Sequence, residues 1–543
     1  GLVGRQRDGT GRAVTVTGLH AAGAALATLA IEGIDVEKRA SPRSLRGGPF
    51  YRLYQGSDGT WFHLAALSPS IFFRALDAVG RMDLLAREDV GGEFSNLVLP
   101  AVSDAVNSEM EKTFATAPTE RWLEVLRAAS VPAARVLSRQ EWMDSEMSSA
   151  ITGWDQLRHP DVGLVRVPAF PISFNGNAAA ASASPPPPVT TTRPTLPLTG
   201  VRVIDISTFL AAPFSATLLA TAGADVIKVE PPEGDPYRVH NLSYAVANQH
   251  KRAMALNLKD DAQRDALLKM VGASDVLVDN FREGGLDRLG LDDATLGRGN
   301  PGLVRCSVSA FGTGNPWSAL PGFDPVLQST TGMAVAQGGA SRPAASAAPV
   351  VDVTTGSLAA LGILAALYSR SIDGRGQHVR TSLAAGAVFV QSAEMTTYES
   401  RPEAAVGGLE FAGPAAERHY YRTLDGWLAV SAITASQRQE FHRVVGAAGD
   451  IAAAIEREPT VVWVDRLAGA GVPAAEVLLR KGALSDPVLD ANGVSATFSI
   501  GEFGRFRVIG AFGSWAGTPD PPRRSTDVGA DTGRVLSEFG LTV

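Results

Sequence analysis

The sequence predicts an α/β fold: a doubly wound, mostly parallel sheet of the Rossmann-like kind, accompanied by smaller α+β domains. Two observations lead to this prediction. Between residues 200 and 310, apolar runs typical of strands alternate with helical segments at the spacing of strand–helix–strand units. Three stretches near the N-terminus also recur in the same order near the C-terminus, which indicates a duplicated domain rather than a solenoid of short repeats.

The alternation of strands and helices begins just after residue 200. The predicted strands span 201–206, 224–230, 274–280 and 303–308. The predicted helices span 213–222, 260–272 and 353–370. Gly223 is the stop signal of the first of these helices. The last helix is so strongly apolar that it should be buried.

The ends of the predicted strands mark where a ligand would bind. In an open parallel sheet, ligands lie beyond the carboxyl ends of the strands, which here are the loops after Ile206, Val229, Val278 and Val308. Residues 207–213 lack the Gly-x-Gly-x-x-Gly pattern of a nicotinamide-binding domain, and the sequence has no phosphate-loop lysine motif. A dehydrogenase is therefore disfavoured.

The repeated stretches lie at both ends of the chain. Residues 8–12 match 373–377, residues 51–52 with 58–61 match 421–422 with 425–427, and residues 122–134 match 463–475. Residues 196–370 have no upstream counterpart. The chain is therefore expected to hold one and a half copies, as a piece of a longer tandem protein or as one that has lost upstream sequence. Between the copies, the Ala, Pro and Thr runs of residues 175–197 predict an extended linker.

The composition argues against several kinds of partner. The net charge of −7 gives no general attraction to nucleic acid or to an anionic membrane. The single cysteine, Cys306, excludes an intramolecular disulfide and a cysteine-based zinc site, and a buried inert thiol is expected. The scattered histidines form no ligand cluster, so no metal is expected. Residues 14–31 are expected to contain a buried helix rather than a membrane span, and a cytoplasmic location follows by default.

Two aspartates stand out as chemically capable. Asp324 follows Phe323 in a Gly-Phe-Asp-Pro stretch, and Asp352 opens the long apolar helix. Asp is a favoured N-cap residue, worth about 1 kcal/mol, so one interpretation of Asp352 is a helix cap. The other is that the positive end of the helix keeps Asp352 ionised beside a strand-end cleft. There its carboxylate can attack a thioester carbonyl and form a covalent acyl-enzyme.

Motifs in residues 199–400 are similar to those of the large domain of the class III coenzyme A transferases, the formyl-CoA transferase, carnitine CoA-transferase and bile-acid-inducible F type family. Residues 420–543 resemble the family's small domain and its returning C-terminal segment, and residues 5–172 resemble the small domain of a first copy. The matching motifs are residues 198–205, 223–232, 248–252, 279–282, 285–288, 309–312, 322–324, 352 and 374–377.

The resemblance implies five segments. They are 1–174, a partial first copy with the end of a large domain and a small domain; 175–197, the linker; 198–400, a large domain that binds coenzyme A; 401–510, a small domain; and 511–543, a segment returning to the large domain.

The resemblance also implies an activity: transfer of coenzyme A from an acyl-CoA to a small carboxylic acid through an aspartyl-CoA thioester. Asp352 matches the family's nucleophile, and Asp324 matches an acid that supports the site. The residues expected to contact coenzyme A are Phe209, Lys228, Asn248, Lys251, Arg252, Asn280, Phe281, Arg288 and Phe311. By charge, Lys251, Arg252 and Arg288 suit phosphate, although Lys251 and Arg252 could equally be a solvated surface pair.

Some positions depart from the family's patterns. Leu210 and Ala212 stand where oxalate-using members carry Gln and Gly, and residues 411–414 replace a glycine run, so oxalate is disfavoured as acceptor. With Phe209 and Phe323, the apolar Leu210 indicates a less polar acceptor. Phe323 also replaces the histidine of the related racemases, so racemisation is disfavoured.

The family's interlocked dimers, in which one subunit's small domain covers the other's large domain, imply a homodimer or a pseudo-dimer within this chain. The small domain at residues 50–172 would then cover Asp352, or else be a degenerate spacer. The alternative functions are a CoA-transferase/lyase or racemase on the same fold, and a non-catalytic CoA-binding protein.

Overall fold

The computed structural model describes residues 1–9, 11, 13–34, 48–93, 96–97, 99–176, 196–446, 449–478, 480–499, 504–510, 512–513 and 526–542. The chain divides into two compact units. One comprises Gly1–Pro402 with Pro487–Val543, and the other is Glu403–Asp486.

The elements before residue 177 are mostly short. The helices are α1 (Leu2–Asp8), α2 (Gly18–Leu26), α3 (Pro69–Ala78), α4 (Pro100–Phe114), α5 (Thr119–Ala128), α6 (Arg139–Met143) and α7 (Glu146–Ile151). The strands are β1 (Ile31–Gly33), β2 (Tyr51–Gln55), β3 (Trp61–Ala65), β4 (Ala133–Arg135), β5 (Trp154–His159), β6 (Gly163–Pro168) and β7 (Ser173–Gly176).

Strands and helices alternate between residues 202 and 395. The strands are β8 (Arg202–Asp205), β9 (Asp225–Glu230), β10 (Arg252–Ala255), β11 (Val276–Asp279), β12 (Val304–Ser309) and β13 (Gln377–Ser382). The helices are α8 (Ala211–Thr221), α9 (Asn241–Ala247), α10 (Asp261–Gly272), α11 (Asp293–Gly299), α12 (Asp324–Thr330), α13 (Met333–Gly338), α14 (Val350–Asp373), α15 (Leu383–Val390) and α16 (Ser392–Met395). Short 3₁₀ helices span Met82–Ala86, Pro236–His240 and Asp287–Leu289.

The remaining elements complete both units. The strands are β14 (Arg418–Arg422), β15 (Trp427–Ser431), β16 (Ala474–Glu476), β17 (Ser495–Ser499) and β18 (Arg505–Ile509). The helices are α17 (Ala435–Val445), α18 (Ile451–Ile455), α19 (Thr460–Gly469), α20 (Arg480–Ala483), α21 (Pro487–Ala491) and α22 (Thr532–Glu538).

The central sheet has seven strands in the order β10-β9-β8-β11-β12-β13-β7. Strands β8 to β13 run parallel to their neighbours, and only β7 is antiparallel, paired with β13. The mostly parallel sheet predicted from the sequence is therefore confirmed, and the four predicted strands match β8, β9, β11 and β12 to within two residues. Since β7 includes Asn175 and Gly176, the expected linker begins inside a strand. Residues 177–195 of that linker lie outside the described residues.

Two three-stranded antiparallel sheets share one topology, β2-β3-β4 in the first unit and β14-β15-β16 in the second. In each, a tyrosine hydroxyl donates to the backbone carbonyl five residues earlier. Tyr54 bonds Pro49 and Tyr421 bonds Ala416, both at 2.6 Å. The structural equivalent of Tyr421 is thus Tyr54, so the sequence match with Tyr51 is wrong by three residues.

The sheet of the first copy lies against α12. His63 Nδ1 on β3 is 3.2 Å from Ser329 Oγ on α12, and the backbone N–H of Leu137 donates to the Ser329 carbonyl at 3.1 Å. Just after α12, Gly332 has a φ of +85° and lies so close to the backbone of Arg139 that a side chain would collide with it. The β2-β3-β4 sheet and the segment after β4 therefore pack directly on α12.

The C-terminal segment packs on the opposite edge of the central sheet, at β10. The backbone N–H of Ala253 donates to Asp531 Oδ2 at 2.9 Å, and that of Ala255 donates to Thr532 Oγ1 at 3.0 Å. Val535 and Leu536 are buried in the core on that side of the sheet. These bonds satisfy backbone groups of an edge strand that would otherwise be unpaired.

The long helix α14 is the core helix that the sequence predicted. Gly356 lets α14 approach α8 closely, because a Cβ at this position would lie 2.5 Å from the Ala211 carbonyl oxygen. In the described part of the chain, α14 is the one helix long and apolar enough to cross a membrane by length and composition. Because 61% of its most apolar window is buried within the protein, this is weak evidence for a span. The apolar stretch at 14–31 contains only the nine-residue helix α2, and Cys306 is fully buried, which raises the pKa of its thiol.

Candidate active site

The N-terminus of α14 is capped by a side chain from another helix. Asp324, the first residue of α12, is 3% exposed, and its Oδ2 accepts hydrogen bonds from the backbone N–H groups of Val351 (2.8 Å) and Asp352 (3.0 Å). Donors in the first turn of a helix have no partner within the helix. Pro349, the N-cap residue of α14, provides no side-chain cap. The interpretation of Asp352 as the cap of its own helix is therefore wrong, since Asp324 does this.

Gln328, one turn further along α12, holds the Asp324 carboxylate. Its Nε2 donates to Asp324 Oδ1 at 2.5 Å, and its Oε1 accepts from the backbone N–H of Ser346 at 2.6 Å. Both oxygens of Asp324 are thus engaged, one by Gln328 and one by α14. Sequence reasoning missed Gln328, because its role depends on Ser346, which lies 18 residues away, as well as on Asp324 on the preceding turn.

Asp352 occupies the first turn of α14 and is partly exposed. The positive end of a helix dipole stabilises a carboxylate placed there. Because Asp324 has already satisfied the backbone donors, the Asp352 side chain is not needed as a cap. The arrangement suits a carboxylate that must reach a ligand beyond the strand ends.

Two aromatic rings stand beside this helix terminus. Phe323, the residue before Asp324, packs edge-on against Phe209, with ring centroids 4.7 Å apart. Both rings also contact the apolar core formed by residues 50–131. Phe209 follows β8 and adopts a φ of +64°, a left-handed conformation that is rare for a bulky residue.

The structure buries the side chains of Lys228, Lys251 and Asn248 inside the protein. Both lysine side chains are fully buried: Lys228 Nζ lies 3.1 Å from Asp235, and Lys251 Nζ lies 2.8 Å from Asp205. Lys251 also donates to Asn248 Oδ1 at 2.8 Å and to the Pro213 carbonyl at 2.7 Å, which uses all three of its protons. Burial lowers the pKa of Lys251 to about 8, and Asp205 opposes this shift. The ammonium groups of Lys228 and Lys251 are thus paired inside the protein, so a contact of these three residues with coenzyme A stays a prediction.

Arg252 and Phe311 are also engaged elsewhere. The Arg252 guanidinium bridges Asp225 on β9, at 2.7 Å, and Glu538 on α22, at 2.8 Å. Phe311 is 2% exposed and belongs to the main core. The contacts of these two side chains with coenzyme A stay predictions, whereas the alternative of a solvated pair at Lys251 and Arg252 is wrong because Lys251 is buried.

Four of the expected contacts remain at the carboxyl ends of the strands. Phe209 and Phe281 are half-buried and Arg288 is exposed. The Asn280 amide is half-buried and bridges to the loop after β8, accepting from Thr208 N at 2.9 Å and donating to Thr208 O at 2.7 Å. The loop after β8 also carries Phe209, whose ring contacts Phe323, the residue before Asp324.

The sequence analysis passed over Arg282, two residues after Asn280. Among the described residues, its guanidinium makes no hydrogen bond or ion pair. Burial lowers its pKa, and the charge of Arg74 on α3 lowers it further. Its side chain is exposed in the loop after β11, and an exposed cation can accept an anion, so we add Arg282 to the candidate site residues. Its place in the motif at 279–282 was the available signal. Among the described residues, no group of three or more His, Cys, Asp or Glu side chains could hold a metal ion.

The structure combines a doubly wound sheet with smaller antiparallel sheets, and an aspartate caps a helix terminus near the strand ends. These features define the chain as an α/β protein with a candidate site at the carboxyl ends of its parallel strands. The same fold occurs in a crystal structure of a CAIB/BAIF family protein from Brucella suis, with a TM-score of 0.55 and 22% identity, over 64% of this chain and 100% of that one. The chain belongs to CoA-transferase family III, which matches residues 1–190 and 198–532.

Several relatives are similar to parts of the chain. The acetyl-CoA:oxalate CoA-transferase of Acetobacter aceti is 30% identical over 318 residues, covering 53% of this chain and 82% of the relative. The succinyl-CoA–L-malate CoA-transferase beta subunit of Chloroflexus aurantiacus is 33% identical, over 45% of this chain and 63% of the relative. The CoA-transferase/lyase DddD of a Marinomonas species is 26% identical, over 70% of this chain and 51% of the relative. The chain thus spans less than two thirds of the second and third relatives.

Proposed function

We propose that the chain transfers coenzyme A from an acyl-CoA to a carboxylic acid, with Asp352 as the nucleophile. A carboxylate oxygen of Asp352 attacks the thioester carbonyl, the C–S bond breaks, and coenzyme A leaves as a thiolate from a mixed anhydride. The thiolate then attacks the aspartyl carbonyl, which releases the donor acid and leaves an aspartyl-CoA thioester. The acceptor carboxylate repeats this exchange in reverse, and Asp352 is regenerated as a carboxylate.

One observation carries the proposal: the Asp324 cap leaves the side chain of Asp352 partly exposed at the positive end of α14. A nucleophilic carboxylate must be ionised and held in place, and both conditions are favoured there. Family membership and the names of the relatives support the same reaction class.

We also infer that the small domain at residues 50–172 closes over this site. Its strand β3 lies on α12, the helix that begins with Asp324. The His240 ring meets the carbonyl of Leu67 at 3.2 Å, which adds a second contact between this small domain and the large domain. A covering domain would keep water away from the anhydride and the thioester.

Trapping the intermediate tests the nucleophile. The protein is mixed with an acyl-CoA and quenched with hydroxylamine, and peptide mass spectrometry locates the modified carboxyl group. Label at residue 352 is expected, and Asp352→Asn should lose both the label and transfer. Asp373→Asn, the same substitution at the exposed far end of α14, is the matched control and should retain both. Label at another residue, or full transfer by Asp352→Asn, would contradict the proposal.

A second candidate is a combined CoA-transferase/lyase, which removes a group from the acyl chain after transfer. The observation favouring it is the 70% of this chain matched by the transferase/lyase relative, the longest match among the three described. Incubation with acyl-CoA in deuterium oxide would reveal it as exchange at Cα. Transfer without any exchange or elimination would exclude it. A racemase stays disfavoured because Phe323 offers no second acid or base.

A further inference from the structure

The backbone of Phe209 is strained and is held by a buried carboxylate. Its φ of +64° is costly for an aromatic side chain and persists only where the surroundings enforce it. The Phe209 N–H donates to Asp235 Oδ1 at 3.3 Å. Asp235 lies in the loop after β9, so the contact joins two neighbouring strand-end loops.

Asp235 is itself fixed. It is 2% exposed, and Oδ1 also accepts from the backbone N–H of Tyr237 at 2.8 Å, while Oδ2 lies 3.1 Å from Lys228 Nζ. Lys228 in turn donates to the carbonyl of Ser207. Asp235 therefore contacts the loop after β8 directly at Phe209, and it is linked to Ser207 of the same loop through Lys228.

The rest of that loop is clamped in the same manner. The N–H of Ser207 donates to Asp205 Oδ1 at 3.0 Å, and both backbone polar groups of Thr208 bond the Asn280 amide. Three successive residues thus have their backbone fixed by polar side chains. Such over-determination is what keeps a strained conformation in place.

The strained conformation decides where the Phe209 ring points. The ring meets Phe323 at 4.7 Å and 68°, and Phe323 immediately precedes Asp324, whose carboxylate caps the turn that contains Asp352. Released from the left-handed region, the backbone would turn this ring away from Phe323. The aromatic pair Phe209–Phe323 is therefore a wall beside the reacting carboxylate that depends on Asp235.

Resting on the proposed function, we propose that Asp235 is a positioning residue that holds Phe209 in its left-handed conformation, and that the resulting aromatic wall makes the site prefer an apolar acyl group over one that ends in a second carboxylate. Asp235 acts through Phe209 and not on the substrate. The wall supplies apolar surface, and a carboxylate placed against it would lose hydration without gaining a partner.

Binding of two acyl-CoA thioesters of equal chain length tests this without requiring turnover. Butanoyl-CoA and succinyl-CoA are titrated calorimetrically into Asp352→Asn protein and into the same protein carrying Asp235→Ala, Asp235→Asn or Phe209→Gly. A preference for butanoyl-CoA is expected in the parent and should fall about tenfold in Asp235→Ala, the scale of one apolar pocket contact. Asp235→Asn keeps an acceptor oxygen and should restore most of the preference.

The double variant separates positioning from general damage. Glycine adopts the left-handed region freely and has no ring, so Asp235→Ala should change the preference little further in a Phe209→Gly background. The proposal would be overturned if Asp235→Ala reduced the preference equally with Phe209 and with Gly at position 209. It would also be overturned if Asp235→Ala or Phe209→Gly alone left the preference undiminished.

If Asp235→Ala does not fold, the strain is tested at Phe209 instead. Phe209→Gly should melt at a higher temperature than Phe209→Ala, because only alanine keeps the strain; equal melting temperatures would contradict the strain.

A failure of the proposed transferase function can be distinguished from a failure of the proposal for Asp235. If the unsubstituted protein forms no adduct at Asp352 and catalyses no transfer, the transferase proposal is wrong. The binding preference and its dependence on Asp235 can still be measured in that case.

Discussion

Asp324 Oδ2 accepts the backbone N–H of Asp352 at 3.0 Å, so the two acids of the candidate site are joined through the first turn of α14. One carboxylate is buried and consumed as a helix cap, and the other is left partly exposed. This division gives each acid a different task, although both stand at helix starts.

Removing the cap should impair both stability and transfer. Asp324→Ala leaves the N–H groups of Val351 and Asp352 without their acceptor, and the free energy of unfolding should fall by about 1–2 kcal/mol. Misplacing Asp352 should also slow transfer by about tenfold, which corresponds to about 1.4 kcal/mol in the barrier. Urea unfolding and initial rates measure the two effects. Asp324→Asn keeps an acceptor and should be milder, and equal damage by Ala and Asn would argue against the cap.

Gly356 should not tolerate a side chain. Gly356→Ala forces α14 away from the Ala211 carbonyl on α8 and should cost about 1–3 kcal/mol of stability. The matched control is Gly297→Ala in α11, where nothing lies within 4 Å of the added Cβ. This control should be neutral or stabilising by up to about 1 kcal/mol, because alanine favours helices. Similar thermal shifts for the two variants would contradict the close packing of α14 on α8.

His63 should make stability fall in acid. Burial lowers the pKa of its ring from 6.5 to about 3, and Nε2 has no hydrogen-bond partner within the described part of the chain. Below pH 6.5 the unfolded chain therefore binds a proton that the folded protein refuses. The free energy of unfolding should decrease by up to about 1.4 kcal/mol per pH unit between pH 6.5 and 3, and this contribution is constant above pH 6.5.

Replacing His63 by alanine, the residue at the equivalent position 429 of the second copy, should flatten that acid limb. Urea unfolding from pH 4 to 8 measures it. Ser329→Ala removes the Oγ partner of Nδ1 but keeps the ring buried, so the acid limb should persist. An unchanged pH profile in His63→Ala would assign acid sensitivity to other groups.

The ion pair between Arg252 and Glu538 should anchor the C-terminal segment. Glu538→Gln removes one partner of a half-buried pair and should raise hydrogen exchange in α22. A double-mutant cycle with Arg252→Gln should give a coupling energy of about 0.5–1 kcal/mol that weakens in high salt. Arg264→Gln, which breaks a more exposed pair with Asp261, is the control and should leave α22 unaffected. A coupling energy near zero would assign the docking of α22 to its apolar contacts alone.

The sequence anticipated the parts of the fold that depend on neighbouring residues. Strands such as β9 and β12 were predicted because apolar runs bounded by turn residues specify them locally, and α14 because its apolar pattern is long. The motif that places Asp352 at a helix start was visible for the same reason. The repeat was visible too, although its register was off by three residues at Tyr51, because residues 51–52 have the same Tyr-Arg letters as residues 421–422.

The site itself was predicted less well, because motif residues serve two purposes that look alike in a sequence. Lys228, Lys251 and Phe311 belong to family motifs, as Asn280 does, yet their side chains are buried. A lysine that binds the phosphate of a ligand and a lysine that pairs with a buried aspartate cannot be distinguished in the sequence. Only the packing of β8, β9 and β10 brings Asp205 and Asp235 to the two ammonium groups.

By itself the sequence determined the order of strands and helices, the duplication and the acid at the start of α14, since these follow from short-range patterns. The tertiary structure decided that Asp324 and not Asp352 is the cap, that the lysines are interior, and that Asp235 holds Phe209. The contacts of Asp235 with Phe209, of Asp324 with Asp352 and of Asp205 with Lys251 join groups that are 26 or more residues apart and meet only in the folded sheet. Hydrogen bonds and ion pairs over such separations leave no periodic trace in the chain.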